Sequence, residues 1–114
     1  MCLNTSRLDE LKELDEDGSD SVLKEVIGLY LGSMPLKLNQ LREALDKENF
    51  SEARQTAHNI RSSSVNIGAE CIGDIMRDIE YADESLKVGP VFREKFTRAL
   101  REFDLVKDRL QYYL

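Results

Sequence analysis

What this chain lacks narrows it before any motif is sought. Only two prolines and six glycines punctuate its 114 residues, too few breaks for a sandwich of short strands and well suited to long helices. No run approaches the roughly 20 apolar residues that cross a bilayer. The opening MCLNTSRLDEL also lacks the basic-then-apolar order of a signal peptide. A membrane is therefore not an expected partner, and the expected location is cytoplasmic. Cys2 and Cys71 form neither a CxxC pair nor a disulfide framework. They are expected as two reduced structural thiols, Cys71 near a helix start and Cys2 in a frayed end. Basic residues are outnumbered 16 to 22 by acidic ones, for a net charge of −6. Such a surface repels a phosphate backbone, so nucleic acid is not an expected partner either. The glycines never gather into a GxxxxGK[ST] or GxGxxG loop, which removes the usual cradle for ATP.

What is present is helical periodicity. A chain of this length buries one core, so residues 1–114 are expected to form a single domain. Leu8 and Leu11, with Leu14, mark a short amphipathic helix over about Ser6 to Leu14. Leu23, Ile27, Tyr30, Met34, Leu38, Leu41 and Leu45 recur at steps of four and three, predicting a helix from Ser21 to about Lys47. Pro35 lies inside that stripe and predicts a kink or brief break. Asn49 followed by Glu52 has the pattern of a capping box, and Gly68 can close a helix in the left-handed region, which bounds a central helix at Phe50 to Asn66. Ile72, Ile75, Met76 and Ile79 share one narrow arc and predict a further helix through about Tyr81 or Ala82. A loop follows over Asp83 to Lys87. Pro90 suits the first position of the last helix, whose Phe92, Phe96, Ala99, Phe103, Val106, Leu110 and Tyr113 again alternate steps of four and three. The expected fold is all-α: an up-down-up-down antiparallel four-helix bundle with a short extra N-terminal helix.

The acidic stretch Asp15 to Asp20, DEDGSD, invites comparison with a calcium-binding EF-hand loop. The register fails, because it puts Glu13 at the first loop position and Lys24 at the twelfth, where a bidentate Glu must close the shell. A solvated turn is expected there, and no metal site.

The one histidine, His58, falls on the central helix. Advancing about 100° per residue, Phe50, Ala53, Ala57, Ile60, Ser64 and Ile67 share the core side, while His58 points away from it. Arg54, Gln55, Arg61, Ser62 and Val65 are its neighbours on the outer face. An imidazole with a reference pKa near about 6.5 keeps one ring nitrogen nucleophilic at cytosolic pH, so it can carry phosphate without a separate base. Arg61, one turn on, is placed to offset phosphoryl charge, and small Ser62 leaves room for another protein to approach the ring. Val65 adds an apolar spot to a candidate docking face.

Residues 57 to 69, AHNIRSSSVNIGA, resemble the signature of histidine-containing phosphotransfer (HPt) domains, roughly A-H-x-L-K-G-S-S-A-N-L-G-A. The upstream VIGLYLGSMPLKLNQLREAL is similar to that family's proline-containing helix, and IGDIMRDIE to its following helix, so the likeness spans about residues 8 to 110. It implies that His58 accepts a phosphoryl group from one receiver-domain aspartate and passes it to another, without kinase activity. It further implies that Arg61, in place of the usual lysine, stabilises phosphohistidine, and that Glu80 accepts the other ring N–H. Ser63 and Ser64 match the paired small residues, whereas Ser62 departs from the usual glycine. The implied partners are receiver domains of response regulators and hybrid sensor histidine kinases. The implied state is a monomer with no cofactor of its own, the required Mg²⁺ sitting in the partner's acidic pocket. Two other readings stay open: a non-catalytic adaptor bundle, and the phosphoacceptor hairpin of a sensor kinase, whose H-E-[LI]-R-T-P motif is close to His58-Asn59-Ile60-Arg61.

Overall fold

The structure, a computed structural model, describes residues 3–15, 17–18, 20–83 and 90–114. The described residues form five helices: α1 (Thr5–Glu13), α2 (Ser21–Asp46), α3 (Phe50–Asn66), α4 (Glu70–Glu80) and α5 (Pro90–Gln111). Among the described residues there is no strand, only an isolated antiparallel bridge between Leu3 and Ala69. Cross-helix contacts give the four long helices their alternating directions. Lys37 of α2 meets Ser63 of α3, His58 of α3 meets Glu80 of α4, and Lys95 of α5 meets Asp78 of α4. Asp46 at the end of α2 faces Arg93 near the start of α5, which closes the ring.

The two stripes of alternating four and three become the core. Leu23, Ile27, Tyr30, Met34, Leu38 and Leu41 of α2 are buried, as are Phe92, Phe96, Ala99, Phe103, Val106 and Leu110 of α5. Each fully buried Leu or Ile contributes roughly 1.5–3 kcal/mol relative to an exposed one. The pattern drifts at its ends, because a repeat averaging about 3.5 residues slips against a helix that turns every 3.6. Ala44 is buried where Leu45 was expected, Leu45, Phe50 and Tyr113 are only half-buried, and Leu14 is 63% exposed. The helix does not break at Pro35. The loop expected over Asp83 to Lys87 lies, beyond Asp83, outside the described residues.

Helix ends explain the sharp turns on either side of α3. At its C-terminus Gly68 adopts φ +90°, its N–H bonds to Val65 C=O at 3.0 Å and the Ala69 N–H reaches back to Ser64 C=O at 2.7 Å. These are the paired bonds of a Schellman ending. Any side chain at Gly68 would place its Cβ 2.5 Å from the Asn4 carbonyl oxygen, so only glycine fits under the start of α1. The end of α2 uses the same bonds around Glu48, at φ 55°. The Asn49 capping box is half formed. Its side chain accepts the Glu52 N–H, but the Glu52 carboxylate takes the Asn49 side-chain amide, because the Asn49 backbone N–H is already given to Ala44.

Two expectations for the N-terminal region are corrected. Asp15 is not simply solvated: its carboxylate accepts the Val22 N–H at 2.8 Å and the Ser21 hydroxyl at 3.1 Å, capping α2 in place of Asp20, which makes no cap bond. Cys71 is disulfide-bonded rather than a free thiol. The Leu3–Ala69 bridge, with Asn4 N–H on Gly68 C=O at 2.7 Å, holds the start of the described chain against the beginning of α4. Sequence spacing alone could not reveal that proximity. The chain's other cysteine, Cys2, lies outside the described residues.

Candidate functional site

The site is set by the phase of α3. Ala53, Ala57, Ile60 and Ser64 are wholly buried, which turns His58 outward, and its side chain is 55% exposed. Two seams fix this helix. On the α2 side Tyr30 and Ser64 share a buried hydroxyl–hydroxyl hydrogen bond of 2.8 Å, and the Tyr30 ring packs edge-on against Phe103. Burial pushes the Tyr30 hydroxyl up to about 12, partly offset by its bond to Ser64. Nearer the surface Lys37 Nζ donates to Ser63 Oγ at 3.1 Å.

On the α4 side the close approach depends on Gly73. A Cβ there would lie 2.8 Å from a methyl of Val65, so an added side chain would press the helices apart. Seven residues separate Gly73 from Glu80 and seven separate Val65 from His58, two turns along each antiparallel helix. The contact at Gly73 therefore sets Glu80 beside His58.

Glu80 is only 12% exposed and its two oxygens are divided. Oε1 lies 2.8 Å from His58 Nδ1, and Oε2 lies 3.4 Å from Arg61 Nη1. Oε2 is buried and has no hydrogen-bond partner, so the Arg61 contact is an ion pair without hydrogen-bond alignment. A carboxylate only accepts, so Nδ1 carries the ring hydrogen and Nε2 the lone pair. The Arg61 guanidinium also lies over the Tyr81 ring, its carbon 5.5 Å from the ring centroid.

Of the residues singled out from sequence, His58, Arg61 and Glu80 come together. Arg61 is half-buried between α3 and α4, its side chain 26% exposed, rather than on the open outer face, because Glu80 and Tyr81 draw it inward. Arg54, Gln55, Ser62 and Val65 are exposed along α3 on either side of the histidine. Gln55 also lines a polar groove of about 260 Å³ with Lys37, Gln40, Thr56 and Asn59. Sequence reasoning missed Tyr81, Lys37 and Gly73. A lone glycine inside a helical stripe is a signal of close packing that could have flagged Gly73. Tyr81 and Lys37 reach the site only through tertiary contact. Among the described residues no group of three or more His, Cys, Asp or Glu could hold a metal.

A curated relative, histidine-containing phosphotransfer protein 2 of Arabidopsis thaliana, is 31% identical over 64 residues, which are 54% of this chain and 41% of the relative. The chain thus matches less than half the length of that relative. No solved structure matches significantly. The Hpt domain family matches residues 25–111, an interval that takes in α3, α4 and α5 and most of α2. With His58 outward on α3 and the match covering most of its length, this chain belongs to the Hpt domain family.

Proposed function

We propose that the protein is a phosphocarrier of a two-component phosphorelay, with His58 Nε2 as the atom that carries the phosphoryl group. The observation that carries this reading is the 2.8 Å contact of Nδ1 with Glu80 on a ring that is 55% exposed. It fixes one nitrogen as donor and leaves the other as a nucleophile. In the first transfer the Nε2 lone pair attacks the phosphorus of a receiver's aspartyl phosphate. The N–P bond forms, the P–O bond breaks, and its electron pair returns to the receiver's carboxylate. The ring becomes a cation that still holds its Nδ1 hydrogen, and the Glu80 carboxylate balances that charge. Onward transfer is the reverse step toward a second aspartate, with neutral imidazole as the leaving group.

Arg61 supplies positive charge one turn from His58, while Arg54, Gln55, Ser62 and Val65 form the face that receives the partner. Ser62 brings a hydroxyl beside the ring where the family usually has glycine, which narrows the approach and sharpens partner choice. The partners are receiver domains of response regulators and hybrid sensor histidine kinases. Mg²⁺ belongs to the receiver's acidic pocket, where it neutralises phosphoryl oxygens. The protein works as a monomer, in keeping with a net charge of −6.

Incubation with a phosphorylated receiver domain tests this. The wild-type protein gains acid-labile, base-stable label, and His58→Gln gains none. If the wild type stays unlabelled across several receivers, the phosphocarrier reading fails and an adaptor role takes its place.

A further inference from the structure

We propose that Tyr81 is a positioning residue of this site, whose ring carries the Arg61 guanidinium and keeps it from closing onto Glu80. The proposal rests on the phosphocarrier reading above. Arg61 reaches the site on a long, flexible side chain, and the nearest acceptor is Glu80 Oε2, buried and without a hydrogen-bond partner. Electrostatics alone would draw the guanidinium into an aligned hydrogen bond with that oxygen. Yet the two stand 3.4 Å apart with no such bond formed, and the guanidinium instead lies against the Tyr81 ring, 5.5 Å from its centroid.

Tyr81 has no evident packing task. It is 70% exposed, and its root is fixed by the end of α4, where its N–H bonds to Arg77 C=O at 3.0 Å. The ring thus stands on an anchored stretch of backbone beside the guanidinium. A guanidinium drawn to an aromatic face by cation–π attraction spends no N–H donor on that contact. One edge meets Glu80, and the rest remain available to phosphoryl oxygens on the neighbouring Nε2. Without the Tyr81 ring Arg61 collapses onto Glu80, which weakens the carboxylate's hold on the imidazole hydrogen and withdraws positive charge from the phosphoryl group.

The contact uses the ring face and not the hydroxyl, so replacement by phenylalanine preserves it. The experiment measures onward phosphoryl transfer to a receiver domain for wild type, Tyr81→Leu, Tyr81→Phe, Arg61→Ala and the Arg61→Ala/Tyr81→Leu double variant. The Arg61 Nε–H resonance is followed by NMR in the unphosphorylated proteins. Tyr81→Leu is expected to slow transfer roughly two- to fivefold and to remove the ring-current shift on Arg61. Tyr81→Phe matches wild type on both readouts, and the double variant is no slower than Arg61→Ala alone. Equal slowing by Tyr81→Leu with and without Arg61 means that Tyr81 acts on the partner directly, which overturns the positioning role. So does a Tyr81→Phe protein as slow as Tyr81→Leu, or a Tyr81→Leu protein that transfers at the wild-type rate. Wild-type protein that accepts no label from any receiver overturns the phosphocarrier reading itself, and the role of Tyr81 falls with it.

Discussion

The two seams that hold α3 carry polar groups of opposite character. Toward α2, Tyr30 and Ser64 form a buried, neutral pair joined by one hydroxyl–hydroxyl hydrogen bond. Toward α4, a half-buried carboxylate faces a histidine and an arginine, and its buried oxygen is left without a hydrogen bond. The first arrangement fixes a helix, because a satisfied neutral pair has nothing to gain by moving. The second is poised for a change of charge, because an incompletely satisfied carboxylate gains when a cation appears on the ring beside it. One helix is thus anchored on one side and reactive on the other.

Widening the α4 seam gives the largest expected effect. Gly73→Val puts branched carbon where even a Cβ lies 2.8 Å from Val65. A loss of about 3 kcal/mol of stability is expected from overpacking, read by denaturant unfolding, together with slower transfer as Glu80 leaves His58. A stability within about 0.5 kcal/mol of wild type would show that the seam yields and that Gly73 does not set its width.

The α2 seam is tested by pH. With Tyr30 raised from 10.0 to about 12 in the folded protein, the folded state holds that proton more tightly than the unfolded chain. Its contribution is complete below pH 10 and is lost as pH rises toward 12. The loss amounts to roughly 2 to 3 kcal/mol. Denaturant unfolding at stepped alkaline pH should show this decline in wild type and a flatter one in Tyr30→Phe; parallel curves would remove Tyr30 as its source.

The smallest of the three effects isolates charge from shape. Glu80→Gln keeps an acceptor for Nδ1 but removes the anion that we propose balances the phosphorylated ring. Onward transfer is expected to slow roughly tenfold, in line with losing the charge from a charge-assisted hydrogen bond. The melting temperature should change little, since the amide keeps the side chain's shape and an acceptor for Nδ1. A variant that transfers at the wild-type rate would reduce Glu80 to a spacer.

Much of this was legible in the sequence, and the boundary is physical. The bounds of α3, the outward phase of His58 and the ending at Gly68 follow from local rules, namely a 3.6-residue turn, a capping residue and a glycine free to take positive φ. Glu80 became a candidate only through family resemblance, since nothing in its local pattern points across to α3. Tyr81 and the Tyr30–Ser64 bond were not legible at all, because each depends on how two helices register against one another. Glu48 is instructive in another way. It occupies a left-handed position that local rules assign to glycine or asparagine, so the Schellman bonds and the tight turn into α3 outweigh its own preference. Cys71 misled because compartment and spacing rules do not see tertiary contacts such as the Leu3–Ala69 bridge beside it.

That bridge has a practical consequence for anyone shortening the protein. The family match begins at residue 25, which invites removal of everything before it. Yet Leu8 and Leu11 are buried, Asp15 caps α2, and Arg7 Nε binds the Asn66 carbonyl at 2.8 Å. The region most easily mistaken for a dispensable leader is the clasp that keeps the α3–α4 corner shut.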